Sequence, residues 1–277
     1  LHSLSVLLLA LSVAGCKSHS SSPFSKSAES ALSTFKLPAG FKIELVAAEP
    51  LISDPVDMTI DEEGRMYVVE MHGYPLDINH SGKVIMLRDT NGDGKMDTRT
   101  VFADSLVFPT GVMRWKKGII ITDPPNVYYM EDTNGDGKAD IKKVMLTGFA
   151  LTNPQYLVNR PIYGLDNWIY LAHEGIEETT TYQKTFGDTG RDIFFPDAPN
   201  GPRLPVNAQG RTVRFQPDVH GLEETSSSTQ FGQTFDDWGH HFLVSNADHI
   251  YQEVIANLYL KRNPEQMVGD ATESISD

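Results

Sequence analysis

The sequence predicts an all-β chain assembled from repeated sheet units, and three observations predict it. The stretch Asp89-Thr-Asn-Gly-Asp-Gly-Lys-Met-Asp97 recurs almost letter for letter as Asp132-Thr-Asn-Gly-Asp-Gly-Lys-Ala-Asp140, 43 residues further on. A turn residue followed by an apolar run occurs four times. Beyond residue 37, short runs rich in β-branched and aromatic residues alternate with Gly, Pro, Asp and Asn, which is strand-and-turn patterning. Helical periodicity is expected only near residues 250–260.

In chain order the expected strands are 43–47, 66–70, 84–87, 100–103, 118–122, 127–130, 142–146, 168–172, 212–215 and 242–245. The four turn markers are Gly64 in Asp61-Glu-Glu-Gly-Arg, Gly118 in Trp115-Lys-Lys-Gly, Asn167 in Gly164-Leu-Asp-Asn-Trp and Gly239 in Asp236-Asp-Trp-Gly-His. Gly or Asn there supplies the positive φ of a tight hairpin turn. Successive markers stand 54, 49 and 72 residues apart. A period of about 40–50 residues is that of a β-propeller blade. The expected fold is therefore a β-propeller, incomplete in this chain, with about four blades begun and calcium-binding hairpin loops. The long step holds the polar stretch 174–210, expected as an insertion on a propeller face, where binding sites commonly form.

The 277 residues, 40% hydrophobic and 22% charged, suit a globular protein with a sizeable core. A net charge of −14 without Lys/Arg clusters argues against nucleic acid as a partner. The single cysteine, Cys16, excludes an internal disulfide, a Cys-rich zinc site and a Cys-x-x-Cys-His haem attachment. It follows an apolar run over residues 4–13, too short to span a bilayer but suited to a signal-peptide core. Val13-Ala-Gly-Cys16 resembles a lipobox, so residues 1–16 are expected to be a lipoprotein signal peptide with Cys16 as the lipidated residue. Residues 17–36, rich in Ser and Lys, are expected to be a flexible tether, and residues 37–277 the propeller. Leu1 and the absence of an obvious final strand before Asp277 suggest a piece of a longer chain. The expected location is the bacterial cell envelope, with a lipid anchor to the membrane.

The two acidic loops carry the clearest chemistry. Asp89, Asn91, Asp93 and Asp97, with the Lys95 carbonyl, place oxygen donors at positions 1, 3, 5, 9 and 7, as a hard cation such as Ca²⁺ demands. Asp132, Asn134, Asp136, Asp140 and the Lys138 carbonyl do the same in the second copy. An EF-hand would add a bidentate Glu at position 12, where these loops have Thr100 and Lys143. The other reading is a metal-free Asn-Gly/Asp-Gly turn with solvated carboxylates. Calcium here braces the fold and does not by itself imply catalysis.

Among the remaining candidates, His173 follows the strand 168–172 and enters the insertion, where it could serve as a general base. A hydrogen-bonded loop histidine is the plainer alternative. Arg191 and Arg203 in the insertion could hold an anionic cofactor or substrate, or be solvated. Adjacent His240 and His241 would face opposite sides of a strand and so not chelate one metal.

Taken together, Phe108-Pro-Thr-Gly-Val112, the two acidic loops, Gly164-Leu-Asp-Asn-Trp-Ile-Tyr170, Gln230-Phe-Gly-Gln-Thr-Phe-Asp-Asp-Trp-Gly239 and Tyr259-Leu-Lys-Arg-Asn-Pro264 resemble the N-terminal propeller of a family of membrane-bound dehydrogenases. That family is similar to the quinoprotein glucose and sorbosone dehydrogenases, whose propellers hold pyrroloquinoline quinone and Ca²⁺. The resemblance implies oxidation of a sugar or alcohol, with a c-type cytochrome domain or partner as electron acceptor. It implies no quinone-binding set residue by residue. The rival expectation is a non-catalytic, calcium-stabilised propeller that binds a glycan or a protein partner.

Overall fold

The computed structural model describes residues 27–175, 184–263, 265 and 269–275. The expected signal peptide, Cys16 and residues 17–26 of the expected tether lie outside the described residues. The chain divides into two compact units, Leu1–Leu45 and Val46–Asp277. In the first, the helix α1 (Ala28–Leu32) falls within the stretch expected to be tether; the Ser27 hydroxyl caps it by accepting the Ser30 N–H at 3.1 Å. No described helix is long and apolar enough to cross a membrane.

The second unit is a series of antiparallel meanders. The first sheet is β1 (Pro55–Ile60), β2 (Met66–Glu70), β3 (Gly82–Arg88) and β4 (Thr98–Leu106), hydrogen-bonded in that order. The second begins with β5 (Gly111–Trp115), β6 (Gly118–Asp123), β7 (Asn126–Glu131) and β8 (Ile141–Thr147). The third runs β9 (Asn159–Tyr163), β10 (Ile169–Ala172), β13 (Val213–Gln216), β14 (Gly221–Glu224). The fourth is β15 (Gln233–Phe235), β16 (His241–Leu243), β17 (Tyr251–Glu253) and β18 (Thr272–Ser274). First strands neighbour one another: β5 lies against β1 and β9, and β9 against β15. Sequential meanders meeting through their first strands are the succession a propeller requires.

The core lies in the seams between sheets. Tyr67 and Val69 of β2 face the second sheet, packing with Val112, Ile119 and Ile121, whereas Met66 and Val68 face the other way with Ile85 and Leu87. Both faces of β2 are thus covered, which is why Met66–Glu70 reads as an unbroken buried run instead of alternating. A further cluster joins the second and third sheets through Ile120, Leu146, Ile169, Leu171, Val213 and Phe215.

Two hairpin turns repeat in atomic detail. Asp61 Oδ1 accepts the N–H groups of Glu63 and Arg65, and Asp236 Oδ1 those of Trp238 and His240; each carboxylate also meets the side chain four residues on, Arg65 or His240. Gly64, Asn167 and Gly239 take positive φ as expected, but Gly118 does not. In that turn Lys116 is left-handed (φ 51), and Gly118 is needed because a Cβ would meet the Met130 carbonyl oxygen at 2.2 Å.

The structure differs from the sequence reading in three further places. Residues 43–47 form no strand. Within the expected helix 250–260, the first residues form β17 and only Asn257–Arg262 is helical (α2). The insertion does not simply cover a face. Its strands β11 (Ile193–Phe194) and β12 (Arg203–Leu204) extend the second sheet beyond β8, because Ile193, Phe195, Leu204 and Ala208 are apolar and bury in the seam with Phe215. Phe186 of the same insertion packs edge-on against Phe108, 5.7 Å between ring centres.

Candidate functional site

The acidic loops are the hairpin connections β3–β4 and β7–β8, and their geometry is the same to within a few tenths of an ångström. Asp89 Oδ1 accepts the Gly92 N–H at 2.7 Å and its Oδ2 the Gly94 N–H at 2.8 Å; Asp132 accepts from Gly135 and Gly137, both at 2.7 Å. Asn91 and Asn134 accept from Asp93 and Asp136 at 2.9 Å, and those aspartates accept from Lys95 and Lys138 at 2.8 Å. The last aspartates, Asp97 and Asp140, accept the hydroxyls of Thr90 and Thr133. Gly92, Gly94, Gly135 and Gly137 hold φ between 78° and 85°, the left-handed conformation that folds the loop inward.

These N–H groups favour the ionised carboxylates. The Gly94 N–H holds the Asp89 carboxyl below the usual range, aided by those of Gly92 and Asp93. For Asp132, burial pushes upward, and the N–H groups of Gly137 and Gly135 outweigh it. The donor set is all oxygen, as Ca²⁺ requires. Among the described residues no three His, Cys, Asp or Glu side chains converge as a metal site.

The second loop sits in the seam between the first two sheets, and the first rests on the segment around Val46. The Ala139 N–H donates to the Phe102 carbonyl of β4 at 2.8 Å, and Gly137 lies where a Cβ would meet Met86 Cε at 2.8 Å. Met96, at the matching place in the first loop, donates its N–H to the Val46 carbonyl at 2.9 Å.

Glu70, His72, Asp123 and His173 belong to the loop face where each first strand begins, since in an antiparallel meander the second-to-third connection returns to that end. There the buried Glu70 carboxylate accepts the Ser53 N–H at 2.9 Å and pairs with Arg99 at 3.2 Å. His72 places one ring nitrogen 3.1 Å from Glu70 and the other 3.0 Å from Asp54. Asp123, 4% exposed, accepts the N–H groups of Phe108 (2.8 Å) and Val107 (3.0 Å); burial pushes its carboxyl up to about 6. Neither cluster was singled out from the sequence, because its members lie far apart in the chain and in no recognisable motif.

His173 does stand at the head of the insertion, but inside the protein. It is 2% exposed, its ring meets Phe149 edge-on, and Nδ1 donates to the Arg211 carbonyl at 3.0 Å. Burial pushes its pKa down to about 4, so the ring is neutral at pH 7. Arg203 lies over the Phe194 ring, 4.0 Å from its centre, and donates to the Pro199 carbonyl. Arg191 lines a cavity of about 120 Å³ with Gly148, Asp188 and Gly190. That volume is well below the roughly 300 Å³ at which ligand pockets begin. A quinone therefore does not fit the Arg191 cavity, and Arg203 is engaged elsewhere.

His240 and His241 do face opposite ways. His240 is exposed beside Asp236, whereas buried His241 stacks on Phe235 and bonds Gln233 Oε1 at 2.8 Å. His241 and Glu253 line a cavity of about 310 Å³ with Tyr170 and Arg214, between the third and fourth sheets. Burial pushes the Glu253 carboxyl up, but the His241 ring 3.7 Å away and a hydrogen bond from the Ser227 hydroxyl outweigh it and leave it below the usual range. Burial also pushes the Tyr170 hydroxyl up to about 12.

No curated protein matches the chain at the similarity required. Among solved structures, the chain is similar to the holo form of the pyranose dehydrogenase PQQ domain from Coprinopsis cinerea, at 17% identity and TM-score 0.46, over 79% of this chain and 47% of that one. It is also similar to a calcium structure of a Trichoderma reesei carbohydrate-active enzyme of family AA12, at 13% identity and TM-score 0.39, over 76% of this chain and 47% of that one. A third is an inactive virginiamycin B lyase from Staphylococcus aureus with quinupristin, at 13% identity and TM-score 0.36, over 76% of this chain and 69% of that one. The chain spans about half the length of the first two structures. A family match covers residues 27–277, so the chain belongs to the family described as a domain of unknown function, DUF7133.

Proposed function

We propose that this chain is the calcium-braced propeller module of an exported, lipid-anchored oxidoreductase that acts on a sugar or alcohol. The observation that carries the reading is the paired loop. Two sequence-matched, geometrically matched all-oxygen loops occupy equivalent hairpins of successive sheets. Ca²⁺ at each would tie mutually repelling carboxylates together and stiffen the seam that the loop bridges. The ordered motifs, and the Val13-Ala-Gly-Cys16 lipobox with its cell-envelope location, support the rest.

Pyrroloquinoline quinone, when bound, would supply the hydride acceptor, and a c-type cytochrome domain or partner would receive the electrons. His173, Arg191 and Arg203 do not form its site in the geometry described, so a quinone site on this protein requires other residues. That separation favours a second reading, a calcium-stabilised propeller that binds a glycan or a protein without chemistry.

Reconstitution of the native protein with pyrroloquinoline quinone and Ca²⁺, followed by dye reduction over a panel of sugars and alcohols, separates the two. Quinone binding with substrate-dependent dye reduction is expected. Absence of both rejects the oxidoreductase reading and leaves the binding module.

A further inference from the structure

The seam between the third and fourth sheets differs at its hairpin-turn end from the seam between the first and second. In the earlier seam the β7–β8 acidic loop closes that end, with Gly137 against Met86 and the Ala139 N–H on the Phe102 carbonyl. In the fourth sheet the same third-to-fourth connection, from β17 to β18, is longer and carries α2. Its Asn257 side chain donates to the Glu224 carbonyl of β14 at 2.7 Å, yet a cavity of about 310 Å³ stays open beside it. The Asp166 and Gly239 turns line this cavity, so it lies at the end opposite the loop face. The side chains change as well. β6 presents Ile119 to the first sheet, whereas β16 presents His241 to Tyr170 of the third, 5.2 Å between ring centres.

A buried imidazole needs partners for both nitrogens, and His241 has one. Gln233 Nε2 donates to the Arg160 carbonyl at 3.2 Å, which turns Gln233 Oε1 toward the ring to accept from His241 Nε2 at 2.8 Å. Nδ1 of the neutral ring is then a lone pair. The ring is 6% exposed, and Nδ1 has no hydrogen-bond partner among the described residues. Glu253 Oε2 stands 3.7 Å from it, beyond hydrogen-bond reach. Glu253 itself accepts the Ser227 hydroxyl. Two acceptors therefore line one cavity with a gap between them, and the group missing from the gap is a donor.

We propose that this cavity binds one neutral sugar residue, a hydroxyl of which donates into the gap between His241 Nδ1 and Glu253. The lining selects against other classes. An anion would meet Glu253, Glu224 and Asp166, and a cation would meet the Arg214 guanidinium. A metal ion would lack ligands, since among the described residues no third His, Cys, Asp or Glu joins the pair. A hydroxyl both donates and accepts, as this mixed lining requires. The C–H face of a sugar ring packs on aromatic rings, and Tyr170, Phe235 and Tyr259 supply them. The volume lies at the small end of ligand pockets, room for a single ring. Outside it, Tyr259 is 62% exposed, and Trp238, beside the His240 ring that lines the cavity, is 83% exposed. Exposed rings at the rim suit the next unit of a glycan whose terminal residue fills the cavity.

This gives the binding-module reading above a place and a chemistry, and it fails separately, because it is measured without quinone and leaves dye reduction to decide that reading. Saturation-transfer NMR and titration of the native, full-length protein test it. The probes are the methyl glycosides of glucose, galactose, mannose and N-acetylglucosamine, and short oligosaccharides that end in them. At least one should bind. Glu253→Gln writes a donor into the gap itself, so it should weaken binding roughly tenfold or more without lowering the melting temperature. Tyr259→Ala, at an exposed ring, should also weaken it and carries the same comparison should Glu253→Gln not fold. Trp238→Ala separates the two sources: a larger loss for oligosaccharides marks a glycan end, an equal loss a free sugar, and either supports the site. Binding by none of the sugars, or by ethylammonium in their place, would overturn the proposal. Sugar affinity unchanged in both Glu253→Gln and Tyr259→Ala would put the site elsewhere and overturn it equally.

Discussion

Asp123 and His173 are buried titratable groups near the loop face whose shifts oppose one another. Burial raises Asp123 from 3.8 to about 6. Between roughly pH 4 and 6 the folded chain therefore keeps a proton that the unfolded chain has lost, and the stability this group contributes at low pH is lost as pH rises through 6. His173 is lowered from 6.5 to about 4. In nearly the same window the unfolded chain holds a proton that the folded chain lacks, so its contribution is present above about pH 6.5 and lost as pH falls through 4. Each shift is about two units, on the order of 3 kcal/mol, so the pair nearly cancels. Asp123→Asn keeps an acceptor for the Phe108 and Val107 N–H groups, and its urea midpoint should rise with pH relative to the unmodified protein. His173→Gln should fall with pH instead. Midpoints at pH 4.5, 5.5 and 7 check both; parallel curves for all three proteins would contradict the burial assignments.

At the scale of elements, nine of the ten strand runs read from the sequence lie within or overlap strands, and the tenth, 43–47, forms none. The first strand of every sheet was missed. β5, β9 and β15 are short, carry Arg114, Pro161 or Thr234 and show no period-two alternation, whereas β1 does alternate over Val56-Asp-Met-Thr-Ile60 behind Pro55 and was passed over. Their place is set by packing against one another, a long-range property that no local window contains. The acidic loops were legible because a hairpin with matched Asx turns is encoded locally. The Glu70, His72 and Asp54 cluster and buried Asp123 were not, since the fold alone brings their partners together. Hairpin turns yield a further prediction. Gly64 stands in open space with φ 75, so Gly64→Ala should cost about 1 kcal/mol through left-handed strain alone. Gly118→Ala drives a Cβ into the Met130 carbonyl and the Tyr129 ring and should cost roughly 1–3 kcal/mol by overpacking. Thermal unfolding compares them; equal losses would mean that Gly118, like Gly64, serves only the turn.

At the scale of the whole molecule, the loops matter for where they attach. Each hangs from one sheet and donates a backbone N–H to a neighbouring segment, through Met96 to Val46 and, across the seam between the first two sheets, through Ala139 to Phe102. A cation that orders such a loop stabilises the contact between neighbours as well as the hairpin. By mass action, Ca²⁺ at one hundred times its dissociation constant would add about 2.7 kcal/mol per site. Chelation should therefore lower the melting temperature. Gly137→Ala, which strains φ 84 and crowds Met86, should weaken the second site without touching the first. Calorimetric titration of the native protein with Ca²⁺ is the most direct measurement. Two sites are expected, with a higher melting temperature on saturation, and Asp93→Ala or Asp136→Ala should each remove one of them. No heat and no rise in melting temperature would contradict the account at its centre.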